Sequence, residues 1–159
     1  MASREHERIL QDTEREQGNT AFRNNVKAAL ALANAVRSTL GPHGLDKMLI
    51  SDVGDVQVTN DGVTVLEAAK VEHPTARMLI DTSTTQDTEA HDGTTSAIVL
   101  TAELLVNALD WIDRGIHPSV LTKGYRMSLD YALSEIESIS RISDENDLFR
   151  VVETSLSGK

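Results

Sequence analysis

Apolar positions along the chain recur mostly at spacings of three and four, the period of a helix with one buried face. Over residues 25–39 the series is Val26, Leu30, Ala33, Val36 and Leu40 with alanines between, and Asn24 or Asn25 offers an N-cap. The first 20 residues are polar and charged apart from Ile9 and Leu10, so they read as an arm preceding the folded part. Gly41-Pro42-His43-Gly44 ends the first helix, since proline cannot continue the backbone ladder. Two short extended runs, 47–51 and 56–59, flank the turn residues Asp52-Val53-Gly54-Asp55 and predict a hairpin. A short helix is expected over 63–69 after the turn Asn60-Asp61-Gly62.

Pro74 sits where a helix begins, and Ala76, Leu79 and Ile80 start an apolar face that runs towards Thr88. The clearest helix starts near Thr94 or Thr95, carries the stripe Ala97, Leu100, Thr101, Leu104, Ala108, Trp111 and Ile112, and stops at Gly115. Pro118 opens another through Leu121, Tyr125, Leu129, Ala132, Ile136 and Ile139. Ser143 or Asp144 caps a last one with Leu148, Val151 and Val152, and the polar residues from Thr154 to Lys159 read as a loop. The predicted fold is mainly α, a multi-helix bundle with one small β-hairpin. A lone hairpin is marginal in water, so this one should lie on helices or on a neighbouring chain.

Composition narrows the function. Of 159 residues 40% are apolar but only 3% aromatic, which suits a closely packed aliphatic and alanine core. The formal net charge of -10 repels phosphate backbones and anionic lipid, which argues against nucleic-acid and membrane-surface partners. With no cysteine there is no disulfide, thiolate metal site or cysteine nucleophile. The N-terminus lacks the apolar run of a secretory signal, and no stretch reads as the roughly 18 apolar residues of a membrane span, so a cytoplasmic location is expected.

Asp92-Gly93-Thr94-Thr95 is the stretch richest in chemistry, because it opens the strongest helix. Free amides and about half a positive charge at a helix N-terminus attract anions, and glycine lets a phosphate approach the main chain. Asp92 suits such a place when Mg²⁺ stands between carboxylate and phosphate. On spacing alone, an ordinary capping motif accounts for the same residues and is the commoner use. Leu40-Gly41-Pro42-His43-Gly44 and Thr59-Asn60-Asp61-Gly62 are further glycine-bearing turns, and neither a P-loop nor a dinucleotide-binding glycine motif is present. The five histidines show no metal-ligand spacing among themselves.

Taken together and in order, these segments resemble the group II chaperonins, the archaeal thermosome and eukaryotic cytosolic chaperonin family. The resemblance rests on residues 36–49, including Leu40-Gly41-Pro42; on Thr59-Asn60-Asp61-Gly62-Val63-Thr64; on Glu72-His73-Pro74; on Asp92-Gly93-Thr94-Thr95; and on Gly115-Ile116-His117-Pro118. It implies an arm (1–20), the N-terminal part of an equatorial domain (21–152), and the start of a nucleotide-sensing loop (153–159) leading to an absent intermediate domain. The implied function is ATP-dependent protein folding in a double ring. Leu40, Gly41 and Pro42 would line ATP or ADP, Asp92 would hold Mg²⁺, and Gly93, Thr94 and Thr95 would hold phosphate oxygens. Asp61 would position water or metal, and Lys159 would sense the terminal phosphate. The partners implied are other chaperonin subunits, met through the arm and the hairpin 47–59, and unfolded clients met through an absent apical domain.

Two positions depart from the family pattern. His91 stands where the family usually has glycine, which restricts positive φ beside the phosphate loop, and His43 stands where it usually has lysine. The catalytic aspartate that orients water in the family has no counterpart here, so the chain alone is expected to lack turnover. The rival reading is a non-catalytic oligomerisation or ring-interaction module derived from a chaperonin.

Overall fold

The computed structural model describes residues 17–41, 43–69 and 71–156. Pro42 and Lys159, and residues 1–16 of the expected arm, lie outside them. The element order is α1 (Gly18–Arg37), β1 (Lys47–Ile50), β2 (Val56–Thr59), α2 (Gly62–Ala68), α3 (Pro74–Ala90), α4 (Thr94–Asp113), α5 (Pro118–Ile139) and α6 (Glu145–Leu156). The mainly α bundle with one hairpin is therefore the observed architecture.

Local chemistry sets most helix starts. Asp61 caps α2 by accepting from the Thr64 amide at 2.9 Å. Two helices begin with the same His-Pro pair: His73 Nδ1 accepts from Thr75 N and His117 Nδ1 from Ser119 N, both at 3.2 Å, with proline in the first turn. At the start of α6, Asp144 and Asp147 accept reciprocally from each other's amides, a capping box built from two aspartates.

The core lies where α1, α2, α3 and α4 meet. Ala29, Leu32, Ala33 and Val36 of α1 face Ile98 and Ala102 of α4, with Val65 and Leu66 of α2 and Ala76 and Leu79 of α3 closing the cluster. Small side chains let α1 and α4 come close, and each large buried residue such as Leu66 or Ile98 contributes roughly 1.5–3 kcal/mol. Arg23 pairs with Asp113 and Arg37 with Glu103, fastening both ends of α1 to α4. The hairpin pairs Lys47 with Thr59 through Ile50 with Val56. Leu49 turns to the core, while Met48, Ile50, Val56 and Val58 share the opposite, exposed face.

Four expectations are corrected. The first helix starts at Gly18 and not near residue 25, so residues 18–20 belong to the fold. On α4 the expected stripe is only partly the inner face: Ala108 is buried and Ala97, Thr101 and Ile112 are half-buried, but Leu100, Leu104 and Trp111 are exposed, and the buried Ile98 and Ala102 lie outside it. Because α4 is apolar around most of its circumference, periodicity could not choose its inner face. The same helix has a mean hydropathy of 1.4 over a membrane-length window, so one stretch does reach the length and apolarity of a span. Here it packs against α1 and α3. Finally, residues 153–156 extend α6 instead of forming loop.

The apolar stripes of α5 and α6 lie open. No residue of either helix is buried, and the Tyr125 hydroxyl, donating to the Leu104 carbonyl at 2.7 Å, ties α5 to the outer face of α4.

Candidate functional site

Two loops converge at the N-terminus of α4. The first leaves α1 and folds on itself: Gly44 N donates to Gly41 O at 2.9 Å and Leu45 N to Ser38 O at 2.7 Å. A β-carbon at Gly44 would stand 2.2 Å from the Thr39 carbonyl oxygen, so only glycine allows this closure. The second loop joins α3 to α4. Asp92 accepts from the Gly93 amide at 2.7 Å, and Gln86 Nε2 reaches from α3 to the Asp92 carbonyl at 2.9 Å. Gly93 is the N-cap in left-handed backbone (φ 77, ψ 9) and offers the first turn no side-chain acceptor. The orphan amide donors of that turn thus have no side-chain cap.

Between the loops lies a cavity of about 180 Å³. Leu40 and Gly41 line it from one side and Asp92, Gly93, Thr94 and Thr95 from the other, so six of the predicted site residues meet. Thr39 and Ser96 also line it; neither was singled out as a site residue, although Thr39 lies within the matching segment 36–49 and Ser96 follows Thr95 directly. Asp61 approaches through its neighbour, because Gly62 packs on Thr95. Its carboxylate serves the α2 cap, accepting from the Thr64 amide and from the Thr64 hydroxyl at 2.6 Å.

His91 adopts left-handed backbone (φ 53, ψ 23), and among the described residues no other non-glycine has positive φ. It closes α3 by donating its amide to Asp87 O at 2.9 Å. The geometry that favours glycine is therefore present with a side chain in place.

Among the described residues no three His, Asp or Glu side chains gather into a ligand cluster. One carboxylate beside threonine hydroxyls and helix-start amides fits Mg²⁺, which takes one or two carboxylates, waters and substrate phosphates instead of an all-protein cage.

A second cavity, of about 650 Å³, opens on the other side of Asp92 and is walled by α6 and the residues before it, including Arg141, Arg150 and Ser155. A third hollow lies between the start of α1 and the His73-Pro74 turn and is lined by Asn24, Asn25, Lys27, Glu72 and His73.

The chain is 49% identical over 152 residues to thermosome subunit alpha of Thermoplasma acidophilum, covering 95% of this chain and 28% of that protein. It is 47% identical over 154 residues to thermosome subunit alpha of Archaeoglobus fulgidus, with the same coverages. With thermosome subunit beta of Halobacterium salinarum it shares 47% identity over 151 residues, covering 93% of this chain and 27% of that one. The chain thus spans little more than a quarter of the length of these relatives. The model of the TCP-1/cpn60 chaperonin family matches residues 32–159, and the chain belongs to that family, within its group II branch.

Proposed function

We propose that this chain is the nucleotide-binding equatorial part of an ATP-driven chaperonin subunit and forms one wall of its ATP and Mg²⁺ site. The observation that carries the reading is the convergence of Leu40-Gly41 and Asp92-Gly93-Thr94-Thr95 on one cavity at a helix N-terminus. Separated by more than 50 residues in sequence, these loops have no packing reason to leave a polar hollow between them. A triphosphate gives them one: amides and the helix dipole take the phosphate oxygens, and the threonine hydroxyls add donors.

In this reading Gly93, Thr94 and Thr95 would hold phosphate, and Asp92 would hold Mg²⁺. When bound, Mg²⁺ supplies charge neutralisation of the phosphates. Leu40, Gly41 and Pro42 line the nucleotide, Asp61 positions water or metal from the α2 start, and Lys159 senses the terminal phosphate. Phosphoryl transfer depends on positioning and charge stabilisation, so one wall binds nucleotide without turning it over. The whole subunit works in the cytoplasm, in a ring with other chaperonin subunits, and folds clients held by its apical domain.

A fluorescent ATP analogue titrated with and without Mg²⁺ tests this. Saturable binding that needs Mg²⁺ is expected; absence of binding at millimolar nucleotide contradicts it.

A second reading, an oligomerisation module, draws on the exposed face of Met48, Ile50, Val56 and Val58. Such an edge either pairs or aggregates. Light scattering checks it: growth of mass with concentration supports pairing through the hairpin, and a monomer at high concentration refutes it.

A further inference from the structure

We infer that Gln86, in the last turn of α3, is a positioning residue of the candidate site: by holding the Asp92 carbonyl it fixes the direction in which the Gly93 amide points. This rests on the nucleotide reading above.

Only His91, Asp92 and Gly93 join α3 to α4. The two outer residues are in left-handed backbone, with φ of 53 and 77. Asp92 between them belongs to neither helix, so no helical ladder fixes the peptide unit that joins it to Gly93. Glycine takes positive and negative φ about equally well, and that unit can therefore turn over at little cost. A trans peptide carries its C=O and its N–H on opposite sides. Turning it over would lift the Gly93 N–H off the Asp92 carboxylate and put the Asp92 carbonyl oxygen in its place. An oxygen there repels phosphate, where an N–H attracts it.

Gln86 opposes that turn. Its Nε2 donates to the Asp92 carbonyl at 2.9 Å, reaching six residues forward across the end of α3. Among the described residues no other hydrogen bond holds that carbonyl. The same nitrogen would stand 3.5 Å from a β-carbon at Gly93, so the side chain lies over both residues of the peptide. Gln86 is half-buried and Asp92 exposed, so the anchor sits within the protein and the held group at its surface. With the carbonyl held, the Gly93 N–H stays on the Asp92 carboxylate, donating at 2.7 Å. One side chain from α3 thus sets the direction of a phosphate donor and keeps it beside the carboxylate proposed for Mg²⁺.

The test titrates ATP with Mg²⁺ into the wild-type chain, Gln86→Met and Thr88→Val, and follows the Gly93 amide signal of each unliganded chain by nuclear magnetic resonance. Methionine keeps the length of glutamine and lacks its donor. Gln86→Met is expected to weaken ATP binding about fivefold to tenfold, the worth of one hydrogen bond, and to shift the Gly93 signal. Thr88→Val removes a hydroxyl that donates to the Thr84 carbonyl at the same end of α3, and it should move neither. If the wild type binds no ATP, the nucleotide reading itself falls and this inference with it. If the wild type binds and Gln86→Met either keeps its affinity within about twofold or leaves the Gly93 signal in place, the role of Gln86 alone is overturned. Equal losses in Gln86→Met and Thr88→Val assign the effect to the end of α3 as a whole and also overturn it.

Discussion

Gly62 stands against Thr95 so closely that a β-carbon at position 62 would lie 2.3 Å from the Thr95 hydroxyl oxygen. The start of α2, capped by Asp61, is thereby seated on the first turn of α4. Gly62→Ala forces Thr95 to rotate or α2 to lift. Urea unfolding should show a loss of about 1–3 kcal/mol, the usual cost of overpacking. ATP affinity should fall with it, because Thr95 lines the site; an unchanged midpoint would show that the contact is slack.

His91→Gly should act in the opposite sense. Left-handed backbone costs a residue with a β-carbon roughly 1 kcal/mol more than glycine, and among the described residues the His91 side chain makes no hydrogen bond or ion pair that would repay it. Glycine should raise the thermal midpoint by several degrees and tighten nucleotide binding by relaxing the loop that carries Asp92. A lower midpoint would mean that the imidazole contributes more than the backbone loses.

Ser83 is fully buried in α3 and its hydroxyl has no hydrogen-bond partner among the described residues. Removing an unsatisfied buried donor recovers part of a desolvation cost of about 1–3 kcal/mol. Ser83→Ala should therefore be neutral to stabilising by up to about 1 kcal/mol, and Ser83→Val destabilising, since Ala29, Ala33 and Ala102 show how little room the core around α1 and α4 leaves. Denaturant midpoints of the two variants decide it; a clear loss for alanine would mean that the hydroxyl has a bond unseen in this structure.

The features most legible in the sequence were those made by neighbours in the chain. The hairpin, its turn, and the helix starts at Pro74 and Pro118 follow from residues within a few positions of one another. The first turns of α1 escaped that reading. Residues 18–24 are mostly polar, and the helix there is held by the Arg23–Asp113 pair, a contact 90 residues apart, with Ala21 and Phe22 half-buried beside it. The inner face of α4 was hidden because nearly every face is apolar and the core selects its small side chains. At the site, the sequence motifs indicated the two loops, but only the fold showed that they meet, that Thr39 and Ser96 complete the hollow, and that α6 walls a second cavity on the other side of Asp92.

Asp92 concentrates the central claim, since its carboxylate borders both cavities and contributes only a local bond to the Gly93 amide to the fold. Calorimetric titration of ATP with Mg²⁺ into the wild type and Asp92→Ala, with helix content followed by circular dichroism, tests that claim most directly. The account predicts that alanine abolishes the Mg²⁺-dependent part of binding while the helix signal is retained. Equal Mg²⁺-dependent affinity in both proteins would contradict it.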